Sequence, residues 1–214
     1  MIVNERVVSY INSLDRGNSD ICNIIEKEAI EDQVPIIRKE MGNLLKVLLK
    51  LKQPKSILEV GTAVGYSSIL MSENMPQNCR ITTIENYEKR IPVAKNNFKR
   101  AGKEEVITLL EGDAMDILKE LDGTYDFIFM DAAKGQYINF LPELLRLMPA
   151  GGLLISDNVL QEGDIVESRY GVTRRNRTIH TRMREYIYTL THAEQLETSI
   201  VPIGDGITLS VKKG

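Results

Sequence analysis

The chain reads as an α/β protein with a mostly parallel sheet of seven strands, helices on both faces and an N-terminal helical cap. Three observations predict this. From residue 56 onward, short β-branched apolar runs alternate with longer amphipathic segments. Those runs are almost continuously apolar, as strands covered on both faces must be. The first fifty or so residues show only helical spacing.

Taken in order, ERVVSYINSL places Val7, Val8, Ile11 and Leu14 on one helical face. SDICNIIEKEAI follows, with Ser19 as its expected N-cap. PIIRKEMGNLLKVLLKLK is expected to start its helix at Pro35, a residue suited to a first turn. The five parallel strands are SILEV (56–60), RITTIE (80–85), EVITLLEG (105–112), YDFIFMD (125–131) and GLLISD (152–157). Helices are expected between them over Tyr66–Asn74, Tyr87–Ala101, Ala114–Leu121 and Gln136–Met148. In the tail, TRRNRTIHTRMREYIYTLT (173–191) predicts a helix. AEQLETSIVPI and GITLSVKK predict an antiparallel pair joined around GDG. No linker interrupts the chain, so 1–214 is expected to be one domain, with 1–50 a helical cap and 51–214 a Rossmann-like core.

Composition narrows the function classes. With 43% hydrophobic and 27% charged residues, the chain has the make-up of a soluble globular protein. No run of about 18 apolar residues exists to span a membrane. The first 18 residues lack the apolar core of a signal peptide. Cys22 and Cys79 are far apart and have no metal spacing, so a reducing cytoplasm is expected. A net charge of −3 argues against wholesale coating of nucleic acid and no DNA partner is expected, though a local basic patch is compatible.

Ligands of open parallel sheets bind beyond the carboxyl ends of the strands. There stand Glu59, Gly61 and Gly65, then Glu85, then Gly112-Asp113-Ala114, then Asp131 with Lys134, then Asp157 and Asn158. Gly61 and Gly65 match neither the G-x-G-x-x-G dinucleotide fingerprint nor a phosphate loop. A small-residue loop of this kind lets backbone approach an uncharged or cationic ligand, or is simply a tight turn. Glu85 is placed to bind ribose hydroxyls, or ends its strand in solvent. Asp157 and Asn158 taken alone would cap a turn; beside Asp131 and Lys134 they form an oxygen-rich set.

ILEVGTAVGYSS, the acidic IE of the second strand, EGDA and FIFMDAAK resemble class I S-adenosylmethionine-dependent methyltransferases. DAAKGQY with ISDNV is similar to the divalent-metal-dependent O-methyltransferases of the catechol and caffeoyl-CoA type, as is VPIGDGITLSVKK near the end. The Gly-x-Gly-x-Gly form of the cofactor loop is not kept, because Ala63 replaces the middle glycine. The resemblance covers roughly residues 30–214 and implies a class I methyltransferase fold. It implies Asp131, Asp157 and Asn158 as metal ligands and Lys134, with Asp131, at the reacting hydroxyl. It implies S-adenosylmethionine contacts at Glu59, Gly61, Ser67, Glu85, Asp113, Ala114 and Asp131, with Val34 and Pro35 closing over them. Related enzymes are often dimers, so a homodimer is expected. Three oxygen ligands without His or Cys suit Mg²⁺, and Mn²⁺ accepts the same donors. Methyl transfer to oxygen needs an oxyanion, which a metal and a nearby base such as Lys134 would supply.

The methyl acceptor is read from the segment that follows. Arg169, Arg174, Arg175, Arg177, Arg182 and Arg184 lie together in a chain of net negative charge. Such a cluster suits bidentate pairing with phosphate. RRNRTIHTRMRE is similar to the bacterial tRNA 5-hydroxyuridine methyltransferases, which implies the wobble base of a tRNA anticodon loop as acceptor. Arg174, Arg175, Arg177 and Arg182 would hold the RNA, and Tyr137 or Tyr170 would stack on a base. The rival acceptor is a catechol or a phenolic acyl-CoA ester, whose phosphates Arg174 and Arg175 could bind. A third reading is a non-catalytic RNA- or nucleotide-binding module, against which the intact Asp131, Lys134, Asp157 and Asn158 argue.

Overall fold

The computed structural model describes residues 2–214. Three helices open the chain: α1 (Glu5–Ser13), α2 (Asp20–Glu31) and α3 (Lys39–Lys52). Ser19 caps α2, accepting the Cys22 N–H. α3 begins at Lys39 rather than at the expected Pro35, since Arg38 is still extended (ψ 156°). Residues 35–38 therefore line the cavity above the sheet as irregular chain instead of a first helical turn. That difference matters for the site.

Five strands follow in parallel: β1 (Ser56–Val60), β2 (Arg80–Glu85), β3 (Ile107–Glu111), β4 (Phe127–Met130) and β5 (Leu153–Ser156). The intervening helices are α4 (Tyr66–Asn74), α5 (Ile91–Arg100), α6 (Ala114–Glu120) and α7 (Tyr137–Leu147). α5 starts four residues later than expected, because 88–90 form a turn and Pro92 is placed in the first helical turn. The C-terminal part is α8 (Arg177–His192) and an antiparallel pair, β6 (Leu196–Val201) and β7 (Ile207–Lys212). Arg174 and Arg175 thus precede the last helix rather than lying in it.

The strand order is β3-β2-β1-β4-β5-β7-β6, a seven-stranded sheet in which β7 alone runs opposite to the other strands. The chain reverses direction across the sheet between β1 and β4, and a doubly wound sheet opens its crevice at such a switch. Alternation along each strand divides the core in two. Ile57, Ile81, Phe127, Phe129 and Ile155 pack on one side against Leu45 and Leu49 of α3, Ile69 of α4 and Phe98 of α5. Leu58, Val60, Ile84, Ile128, Met130 and Leu154 pack on the other against Leu118, Tyr137, Leu144, Met183 and Tyr186. Burial on both faces explains why the central strands β1, β4 and β5 are almost continuously apolar. Both cysteines are buried and free. Among the described residues, no helix is long and apolar enough to cross a membrane.

Leu58 has no solvent exposure, so truncating it leaves a void that the flanking strands cannot fill. Leu58→Ala is expected to lower unfolding free energy by about 2–5 kcal/mol, measured by urea denaturation.

Candidate active site

The sheet register places the candidate residues. Ile84 pairs with Val60, Val60 with Met130, and Met130 with Ser156. The residues one step further, Glu85, Gly61, Asp131 and Asp157, therefore stand in a row along the sheet's upper edge. Main-chain bonds continue the ladder there. Gly61 donates to the Ile84 carbonyl at 3.1 Å, Asp131 to Val60 at 3.0 Å and Asp157 to Met130 at 2.9 Å. Above this edge lies a cavity of about 590 Å³, bounded on its far side by the 35–38 segment. Gly61, Ser67, Glu85, Asp113, Ala114, Asp131, Lys134, Asp157 and Asn158 all line it.

The β1 end is shaped by close approach. Gly61 has φ +102°, and a Cβ there would collide with the Asp131 carbonyl, so only glycine lets the two strand ends meet. Ala63 also sits in the left-handed region, at φ +49°. Its N–H donates to Glu85 Oε2 at 2.7 Å. Glu85 Oε1 accepts from the N–H groups of Asn86 (3.0 Å) and Tyr87 (2.9 Å). Three backbone donors thus fix the Glu85 carboxylate at the pocket wall, with lone pairs left for a polyol. Asp113 caps α6 through the Met115 N–H at 2.8 Å.

Two residues expected in the cofactor site are placed otherwise. Val34 does not line the cavity; its N–H is turned to the Ala29 carbonyl at 2.8 Å, closing the end of α2. Pro35–Arg38 take that wall instead. Glu59 lies beneath the floor with no exposure. Its Oε1 accepts from Ser67 Oγ at 2.5 Å, and its Oε2 accepts from Ser68 Oγ and from Thr83 Oγ1. It ties the start of α4 to β2, and so positions the cavity-lining Ser67 without reaching the cavity. Burial pushes the Glu59 carboxyl up to about 7, against the opposing pull of the three hydroxyls.

At the β4 and β5 ends, the carboxylates of Asp131 and Asp157 are raised above the usual range. Burial is the larger cause for both, and the Asp131 charge adds to it at Asp157, which reaches about 7. Asn158 follows in the left-handed region at φ +59°, which asparagine tolerates better than most residues. Its N–H donates to Asp157 Oδ1 at 2.7 Å. Among the described residues, no three His, Cys, Asp or Glu side chains converge as a metal-binding group. The donor set here is two carboxylates and one carboxamide. Two acids that repel each other in a buried corner, with no His or Cys nearby, fit a hard divalent cation such as Mg²⁺ or Mn²⁺.

Tyr137, expected in another role, and Asp205, which the sequence did not single out, complete this corner. The Tyr137 hydroxyl lies 3.1 Å from the Asp157 carbonyl and 3.4 Å from the Met130 carbonyl, and it accepts the Ala132 N–H at 3.3 Å. It braces the two strand ends from below. Having no exposure, Tyr137 cannot be the stacking residue expected of it. Asp205, in the turn between β6 and β7, places Oδ2 3.5 Å from Lys134 Nζ. The GDG turn was visible as a turn, but nothing in its spacing carried it to the end of β5.

The arginines divide. Arg182 donates to the Gly135 carbonyl at 3.0 Å and Arg184 to the Ile165 carbonyl at 2.9 Å, so both brace the fold. Arg177 stacks over the Tyr170 ring at 5.7 Å, and its Nε is buried without a partner. Arg174 and Arg175 are exposed and make no ion pair among the described residues.

Because folding raises the Glu59 carboxyl from 4.5 to about 7, the folded chain holds this proton where the unfolded chain has lost it. The stability it contributes is full below the unfolded value and is lost as pH rises through about 7. Glu59→Gln, neutral at every pH, is expected to flatten the fall in stability across that window, read from denaturation midpoints at a series of pH values.

Residues 19–213 match the family model described as O-methyltransferase. A catechol O-methyltransferase of Niastella koreensis is 36% identical over 169 residues, covering 76% of this chain and 76% of that protein. Caffeoyl-CoA O-methyltransferase 2 of Populus trichocarpa is 35% identical over 182 residues, covering 78% and 71%. The crystal structure of TomG, an O-methyltransferase of Streptomyces achromogenes in complex with S-adenosylmethionine, superposes with a TM-score of 0.87 at 26% identity over the full length of both chains. Its sheet, its glycine-shaped crevice and these matches place the chain in the O-methyltransferase family, with the class I methyltransferase fold.

Proposed function

We propose that this O-methyltransferase moves a methyl group from S-adenosylmethionine to one of two adjacent oxygens on a small phenolic acceptor, a catechol or phenolic acyl-CoA ester. The observation that carries this reading is one continuous cavity joining the Gly61–Glu85 wall to the Asp131–Asp157 corner. A donor and an acceptor can meet there at contact distance. The backbone around Gly61 and Ala63 admits the donor closely, the fixed Glu85 carboxylate suits ribose hydroxyls, and Asp113 and Ala114 border the same end. Asp131, Asp157 and Asn158 would hold a Mg²⁺ or Mn²⁺ ion. The chemistry such an ion supplies when bound is to lower the pKa of an acceptor hydroxyl and fix its direction. Lys134 brings Nζ to the same wall, where, paired with Asp205, it would steady the acceptor oxyanion rather than serve as the expected base. The hydroxyl proton would leave to solvent, and the carbon–oxygen bond would form as the methyl–sulfur bond breaks, the sulfur departing as a neutral thioether.

The names of the relatives support a small phenol over the tRNA base that the arginine segment suggested. A second reading, 5-hydroxyuridine of a tRNA anticodon loop, keeps one observation in its favour. Arg174 and Arg175 are exposed and make no ion pair among the described residues just before α8, whose residues Ile179 and Arg182 approach Gly135, the neighbour of the cavity-lining Lys134 and Gln136. A 5-hydroxyl beside a carbonyl presents the same two-oxygen pattern as a catechol.

Purified protein with S-adenosylmethionine and Mg²⁺ is expected to methylate catechol, detected by mass spectrometry. EDTA should stop the reaction and added Mg²⁺ should restore it. Full turnover in EDTA would refute the metal assignment. Asp157→Ala should abolish turnover while S-adenosylmethionine binding by calorimetry persists. Offered tRNA carrying 5-hydroxyuridine instead, the protein should leave it unmethylated. If tRNA is the acceptor, Arg174→Ala with Arg175→Ala should weaken its binding and reduce the salt dependence by about two phosphate contacts.

A further inference from the structure

Three cationic side chains line the cavity: Arg38, Arg90 and Lys134. Two of them are engaged. Arg90 stacks over the Tyr87 ring at 5.3 Å, and Lys134 Nζ faces Asp205 Oδ2 at 3.5 Å. The other carboxylates of the wall are occupied too. Backbone N–H groups hold Glu85, Asp113 caps α6, and Asp131 and Asp157 make up the oxygen-rich corner. Arg38 makes no ion pair among the described residues. Glu40, two residues along, does not hold it; that buried carboxylate accepts from Asn12 Nδ2 at 3.3 Å. Arg38 is also half-buried, so water meets its charge only in part. Such a guanidinium on a cavity wall keeps a planar fork of N–H donors for a ligand. Its position selects which ligand. Arg38 stands at the head of α3, and its Cδ lies 3.7 Å from where a Cβ on Gly204 would sit. Gly204 precedes Asp205, so the arginine stem lies against the β6–β7 turn, at the Lys134 end of the cavity.

We propose that Arg38 is a specificity-determining residue that selects an acceptor carrying a carboxylate: a free phenolic acid with two adjacent ring oxygens, in preference to an uncharged catechol or a thioester. This rests on the phenolic reading of the cavity and narrows its acceptor class. In that reading the Asp131–Asp157 corner and Lys134 take the two ring oxygens, which turns the opposite side of the ring towards the remaining wall. A carboxylate on that side meets the guanidinium fork in two parallel N–H···O bonds. Size favours a small anion, because the 590 Å³ must hold donor and acceptor together. The thioester of the same acid has no charge at its acyl group, and its phosphates stand at the far end of a long arm. It therefore forfeits this contact.

Protocatechuate, its methyl ester and catechol share the two reacting oxygens, and only the first carries the carboxylate charge. With S-adenosylmethionine and Mg²⁺, the wild type is expected to show kcat/KM about ten- to a hundredfold higher for protocatechuate than for its methyl ester, the range of a charge-assisted hydrogen bond. In R38Q that ratio should fall to about one, and R38K, a point charge without the fork, should keep part of it. A wild type that does not prefer the acid, or an R38Q protein that keeps the preference, would overturn the proposal. So would a higher KM for S-adenosylmethionine in R38Q with the acid preference kept, which would assign Arg38 to the donor's own carboxylate. If the wild type methylates none of the three, the phenolic reading of the cavity fails by itself. Calorimetry on protein loaded with S-adenosylhomocysteine and Mg²⁺ then decides the role of Arg38. Protocatechuate should bind the wild type about tenfold or more tightly than its ester does, and R38Q should bind the two alike. Any other result, including no binding of either, would overturn the proposal.

Discussion

Everything at the site depends on the parallel alignment of β1, β4 and β5. Parallel pairing sends the carboxyl ends of all three strands to one edge, and a register of Val60, Met130 and Ser156 brings them out at one level. The next residue of each strand is then a group at the crevice: Gly61, Asp131 and Asp157. Neighbouring strands are about 4.8 Å apart, so side chains rising from adjacent strand ends share one small volume. Antiparallel strands would have sent alternate ends to opposite edges and scattered these groups.

The same alignment explains the electrostatics. Asp131 and Asp157 are buried at the strand ends, so burial raises both carboxylates, and the Asp131 charge adds to it at Asp157. Glu59, one residue below the edge, shows what happens without access to the cavity. Its charge is met by three hydroxyl donors, and burial still dominates. Polar residues on otherwise apolar strands therefore do two kinds of work. Those at the edge face the cavity, and the one beneath fixes the helix that carries Ser67.

The cavity is completed by parts of the chain that the sheet does not order. Pro35–Arg38 cross from the helical cap outside any helix, and the β6–β7 turn reaches over from the antiparallel end. Tyr137, wholly buried, ties β4 to β5 through three main-chain groups. These contacts turn an open sheet edge into an enclosed space of about 590 Å³, within the range of small-molecule sites.

The strands and most helices were legible in the sequence, because a two-sided sheet demands apolar runs and because helical spacing repeats locally. α4 begins and ends at the residues the periodicity indicates, and Ser19 caps α2 as its side chain suggests. Asp131, Asp157 and Asn158 were legible for the same reason: each stands just past a strand whose apolar character stops there. The placement of Val34, Glu59, Tyr137 and Asp205 was not legible. Whether Glu59 points into the crevice or under it depends on the pleat of β1 and on where α4 lands, and spacing along the chain does not encode either. Asp205 meets Lys134 across 71 residues only because β7 pairs with β5. Local pattern determined which residues end strands at the crevice. The tertiary pairing decided which of them face the cavity, which support it from below, and which distant turn closes the corner, because those outcomes depend on contacts between segments remote in sequence.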